Sequence, residues 1–233
     1  MLKTERLEID HHTTKFVVGA IALSLAFPTN LFSKTDLGSI SASYHQGGPS
    51  QAIFIGFLFA IAAFLLSDNG YTKRQMWLSK LAALTAAGVA LFPCQCGVAA
   101  VTKLQAALHY GSAEIMFAIL GIFTYVFYSR ARGRGRACAD ARAGIYALCC
   151  IVIALSIVAI ALDALLKITD GWVPNFSFGG EAAALVAFGT SWLLASRVVP
   201  VVTRKDELLL PWSPSPPSGA IAANRSSDPS PAP

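Results

Sequence analysis

Few side chains in this sequence can do chemistry, and they are scattered along it: Ser39, Ser41, His45, His109, Glu114, Asp163 and Glu181, with Cys94 and Cys96 between them. Carboxylates accept hydrogen bonds or hold a cation, and an ordinary imidazole changes charge near neutral pH. His45, His109, Asp163 and Glu181 could together supply the mixed nitrogen and oxygen set that zinc accepts. No His-Glu-x-x-His or Cys-x-x-Cys spacing supports a metal, and Cys94-Gln-Cys96 is too slight a signal to carry one. Asp163, His109 and a serine, Ser39 or Ser41, could be drawn as a hydrolytic triad, but no Gly-x-Ser-x-Gly turn accompanies them. No phosphate-binding loop or dinucleotide fingerprint is present, so no cofactor is expected.

What must position these residues is a membrane. Of the 233 residues 55% are hydrophobic and 13% charged, and the mean hydropathy is +0.56. Soluble domains carry about a quarter charged residues. Apolar segments of about the 20 residues needed to cross a bilayer fall at 16–33, 51–67, 76–96, 106–128, 143–168 and 178–199. The expected fold is therefore an all-α integral membrane bundle of six transmembrane helices. A polar lead, 1–15, precedes the bundle, and a Pro- and Ser-rich tail, 200–233, reads as disordered. Acidic residues in the lead and the lack of an Ala-x-Ala site favour a retained first helix over a cleaved signal peptide. Pro28 should kink or end that helix, and Pro93 should end the third. Ala82, Ala86 and Ala90, and again Ala183, Ala187, Ser191 and Ala195, make small-residue stripes suited to close helix approach.

The densest charge run, Arg130 to Arg142, fixes the orientation. Counted lead first, the connections between spans and the tail hold three, one, three, one, five, one and four Lys plus Arg. That alternation is what the positive-inside rule gives for both termini in the cytoplasm. The run is thus an anchor to anionic lipid rather than a nucleic-acid patch. With sides assigned, His45, His109, Glu114, Asp163 and Glu181 all map to the outer half. Glu114 lies about 7.5 Å deeper than His109 by helical rise, and the inner half has no comparable set within its spans. The five cysteines show no disulfide framework, and Cys149 and Cys150 read as small packing residues.

Ser39-Ile-Ser-Ala-Ser-Tyr-His45, Phe54-Ile-Gly-Phe-Leu-Phe-Ala-Ile61, Val89-Ala-Leu-Phe-Pro93, Leu108-His-Tyr110 and Gly180-Glu181 through Phe188-Gly-Thr-Ser-Trp-Leu193 carry a resemblance. Over roughly residues 16–197 the chain resembles a group of uncharacterised bacterial multi-pass membrane proteins. The resemblance implies a six-helix bundle of the bacterial inner membrane and no particular activity. The seven-helix hydrolases of the ceramidase and progestin-receptor type differ: they use a late His-x-x-x-His pair, and this chain has no histidine after His109. The functional expectation is an outward-facing polar pocket of His109, Glu181, Asp163, His45, Glu114, Ser39 and Ser41. It would bind, sense or pass a lipid headgroup or small solute without catalysis. A metal-assisted lipid hydrolase using His109, Asp163 and Glu181, or a non-catalytic scaffold for a membrane partner, are the alternatives.

Overall fold

The computed structural model describes residues 11–70, 72–96, 100–133, 137–169, 173 and 175–198. The lead up to Asp10, the tail from 199 onward, and Arg134 and Arg136 of the arginine run lie outside the described residues. Those described form seven α-helices and one 3-10 helix, with no strand among them.

The first rod is α1 (His11–Ser24) followed by α2 (Ala26–Leu31). It is interrupted at Leu25 because Pro28 has no N–H to give the Ser24 carbonyl. Thr29 steadies the break, its hydroxyl donating to Leu25 O at 2.8 Å and to Ala26 O at 3.0 Å. A short 3-10 helix, Ile40–His45, follows. Then Gly47 and Gly48 take φ of +66° and +61°, a left-handed conformation that favours glycine. They turn the chain into α3 (Gly48–Ser67).

Helix α4 (Lys73–Leu91) starts where the Thr72 side chain accepts from Gln75 N. It stops at Leu91, earlier than the sequence predicts, because Phe92 precedes Pro93 and is held extended. Cys94 and Cys96 therefore lie beyond the helix. Helix α5 (Lys103–Arg132) opens on a reciprocal Thr102–Gln105 capping box and runs 30 residues. Helix α6 (Ala137–Leu166) also has 30 residues, and α7 (Phe176–Ala195) has 20. The arginine run is thus not simply a loop: Arg130 and Arg132 end α5, and Arg142 belongs to α6.

The rods pack in a closed ring in chain order. The first lies on α3, then α3 on α4, α4 on α5, α5 on α6 and α6 on α7, and α7 returns to α1. The closure is a backbone contact, since a Cβ at Gly189 would sit 2.7 Å from the Gly19 carbonyl and one at Gly19 would sit 2.9 Å from that of Gly189. Gly189 of α7 thus faces α1, while Ala184, Ala187 and Ser191 are buried on another face, and Ala183 of the predicted stripe is exposed. The α4 stripe of Ala82, Ala86 and Ala90 is buried as expected. Inside the ring, Trp192 meets Phe123 and Phe188 edge-on or tilted, at ring-centre distances of 5.9 and 5.2 Å.

Five of the helical rods are long and apolar enough to cross a membrane: 12–31, α3, α5, 139–166 and α7. Only 22% to 44% of each apolar window is buried within the protein. Leu84, Leu104, Leu155 and Leu165 are among the large side chains facing outward. An apolar exterior of that extent needs lipid around it. Helix α4 is the exception, because its first turns carry Lys73, Arg74, Gln75 and Lys80.

Candidate functional site: a polar cavity under the Ser39 turn

The segment from Lys34 to Gln46 is folded over one end of the bundle and tied down by hydrogen bonds. Glu181, in the second turn of α7, supplies the central tie: its Oε2 accepts from Ile40 N at 2.6 Å and from Ser41 N at 3.4 Å. Phe178 N donates to Gly38 O at 3.0 Å, so the first turn of α7 grips the same segment from a second point. Ser39 caps the 3-10 helix, its Oγ accepting from Ala42 N. On the other side Tyr44 donates to Leu91 O at 3.2 Å, and His45 donates through Nε2 to Cys94 O at 2.7 Å. His109 of α5 donates through Nδ1 to Phe92 O at 2.8 Å. Both imidazoles thus hold the extended stretch that Pro93 creates.

Under this turn lies a cavity of about 800 Å³ between α5, α6 and α7. Ser39, Ser41, His45, His109, Glu114 and Glu181 all line it. Six of the seven residues singled out by the sequence are therefore brought together. Asp163 is not. Its Oδ1 accepts from Thr169 N at 2.8 Å and Thr169 Oγ1 at 2.7 Å, closing the end of α6. The zinc set of His109, Asp163 and Glu181 is not assembled, and among the described residues no group of three or more His, Cys, Asp or Glu is placed to hold a metal ion.

The hydrogen bonds fix which nitrogen of each ring faces what. A carbonyl can only accept, so His109 carries a proton on Nδ1, and in the neutral ring Nε2 is an acceptor. His109 is fully buried beside the Val89 and Phe92 carbonyls, and among the described residues its Nε2 makes no hydrogen bond. Ser43 Oγ and Trp192 Nε1 are also buried without partners, but neither residue lines the cavity. The same reasoning leaves Nδ1 of half-buried His45 as its acceptor. With the Glu181 carboxylate, the cavity's polar end is rich in acceptors. Glu114 is exposed rather than buried as its depth in α5 suggests, so the cavity reaches the bundle surface beside it.

Two features escape the sequence reading. One is the wall opposite, where Ile157, Ile160, Ala161 and Ala164 recur at helical spacing on α6, with Phe117 facing them from α5. Their periodicity was visible, but nothing in an apolar run marks which face meets a cavity. The other is a disulfide between Cys94 and Cys96, at 2.06 Å, where no disulfide was expected. Two cysteines so close along the chain can meet only because the backbone leaves the helix at Phe92. Cys96 lines the cavity, and the Ser39 hydroxyl donates to its sulfur at 3.6 Å. Cys149 is buried and Cys150 half-buried in α6, both as free thiols.

A second cavity, of about 460 Å³, lies at the opposite end of the same helices. Lys15, Arg130, Arg142 and Arg197 line it, against Phe127, Tyr146 and Leu194. This corrects the expectation that the arginine end holds no comparable set. His109 and Arg130 are 21 positions apart on α5, about 31 Å of helix, which matches the ~30 Å hydrocarbon thickness. No family model, curated protein or solved structure matches the chain.

Proposed function

We propose that the protein is a non-enzymatic, six-span protein of a bacterial inner membrane that binds a small amphipathic ligand in the cavity under the Ser39 turn. The observation that carries this reading is the buried, unpartnered Nε2 of His109 beside a cavity with one polar end and one apolar wall. An acceptor buried without a partner is costly; His109 has no exposed surface, so a small rotation of its ring toward a ligand hydroxyl or amine would satisfy it. Glu181, His45 and Glu114 add acceptors, so a headgroup rich in donors fits best, with its apolar part against Phe117 and the α6 wall. The opening beside exposed Glu114 suits a ligand arriving from the bilayer. The charge alternation supports both termini in the cytoplasm and this cavity on the outer side. In that arrangement α4 is the least apolar span and relies on its neighbours for burial.

The test is native mass spectrometry of purified protein with short-chain phosphatidylethanolamine, a diacylglycerol and free ethanolamine. Bound amphiphile should be retained by the wild type and lost in His109→Phe, which keeps a ring but removes Nε2. Equal retention by both would reject the reading. A periplasmic reporter inserted after Arg136 should be silent, and activity there would overturn the orientation.

A further inference from the structure

The arginine end is more than an anchor. Lys15 comes from α1, Arg130 from α5 and Arg142 from α6, and Arg197 lies two residues beyond the end of α7. Residues 182 positions apart in the chain therefore converge on one cavity. Lys15 and Arg142 are only 5% and 6% exposed. Arg197 sits at φ +58°, a left-handed conformation unusual for a residue with a side chain. Long cations at the end of a membrane bundle usually extend toward the water and headgroups. Here at least two are folded inward. Lys15, Arg130 and Arg142 each already have an interaction within the chain, and Arg130 Nη2 donates to Gln75 Oε1 at 3.1 Å. Among the described residues the Arg197 guanidinium makes no hydrogen bond, which leaves its five N–H donors to a ligand.

We propose that this cavity binds a phosphate-bearing anion, and that the head of an anionic phospholipid is its source. Guanidinium groups pair with phosphate oxygens through two parallel hydrogen bonds. Several cations around one concavity raise the local potential that draws such an anion in. Phe127, Tyr146 and Leu194 give the first carbons of a lipid an apolar surface, which a free phosphate would not use. Basic pockets between helices on the cytoplasmic side are where anionic headgroups dock in general. The site is separate from the cavity under the Ser39 turn and does not depend on what that cavity binds.

The experiment measures thermal unfolding of the full chain in neutral detergent while short-chain phosphatidylglycerol, phosphatidylcholine of equal chain length, or inorganic phosphate is titrated in. Phosphatidylglycerol should raise the midpoint and phosphatidylcholine should not. Inorganic phosphate should act only at much higher concentration, and equal potency of the two would overturn the lipid as the source. Arg197→Gln should weaken the apparent affinity about fivefold, the effect of one cation near a headgroup. Arg142→Lys should bind within about threefold of wild type, because the charge stays, whereas Arg142→Gln should bind markedly less if it folds. His109→Phe should leave this response unchanged. Equal shifts from phosphatidylglycerol and phosphatidylcholine, or an Arg197→Gln response equal to wild type, would overturn the proposal.

Discussion

The two cavities are built from the same three helices, yet they have opposite chemistry. At the Ser39 end α5 contributes His109 and Glu114, α7 Glu181 and α6 a long apolar wall, with a turn folded over them. At the other end the same helices and α1 contribute Arg130, Arg142 and Lys15, with Arg197 just after α7. The first concavity presents acceptors and the second presents cations. What differs most is how each is held. The Ser39 end depends on a segment outside the helices, tied down by side chain to backbone bonds. Among the described residues the arginine end is formed by the helices and by Arg197 just beyond α7, so its geometry follows from how they cross.

The sharpest way to break this contrast is Glu181→Ala. It removes the acceptor of two backbone N–H groups, and a buried N–H left without an acceptor costs about 1–3 kcal/mol. A loss of about 3 kcal/mol is expected, with fast amide hydrogen exchange at Ile40 and Ser41 while the anion response at the arginine end persists. Unchanged exchange at Ile40 would mean that Glu181 does not hold the turn.

Gly189→Ala should come next, at about 2 kcal/mol, because the added methyl must push two helix backbones apart. Helix propensity alone would favour the alanine by about 1 kcal/mol, so a stabilised variant would contradict the close crossing of α1 and α7. Since α7 carries Glu181 and leads to Arg197, this variant should weaken both cavities together, unlike the others.

His109→Phe should cost about 1 kcal/mol for the lost bond to Phe92 O, measured by denaturant unfolding. Its effect should stay at the Ser39 end. The smallest change is expected for Asp163→Asn, about 0.5 kcal/mol, since an amide oxygen can still accept from Thr169. Ligand retention at either cavity should not move. A large loss of retention in Asp163→Asn would return that carboxylate to the site from which its bonds to Thr169 remove it.

Much of the helical framework was legible because hydropathy and proline act locally. The apolar runs marked where helices lie, and Pro28 and Pro93 marked where they break. The caps at Thr72 and Thr102, which start α4 and α5, were not read from the sequence, and the apolar runs placed those starts three residues late. Boundaries slipped where the sequence offered no stop signal: α5 and α6 continue past the hydrocarbon length into the arginine run. The site was legible in part for the same reason. A polar residue in an apolar run is conspicuous, which is why His109 and Glu181 stood out and why Asp163 did so as well. Conspicuousness does not tell direction, and Asp163 turns out to close its own helix. Lys15 and Arg142 posed the reverse problem, because cations near helix ends look like ordinary anchors until their helices are seen to converge.

The sequence by itself determined that the chain is helical and built for lipid, roughly where its apolar helices lie, and how basic charge alternates between the connections. Those properties depend on residues within a turn or two of each other and on their transfer into an apolar medium. Only the tertiary structure decided that α7 closes the ring on α1, that Glu181 holds a turn 140 residues earlier in the chain, and that Cys94 and Cys96 join. It also decided that the cations at one end line a second cavity. Each of these depends on helix rotation and crossing, which packing contacts between distant residues set and which no local pattern records.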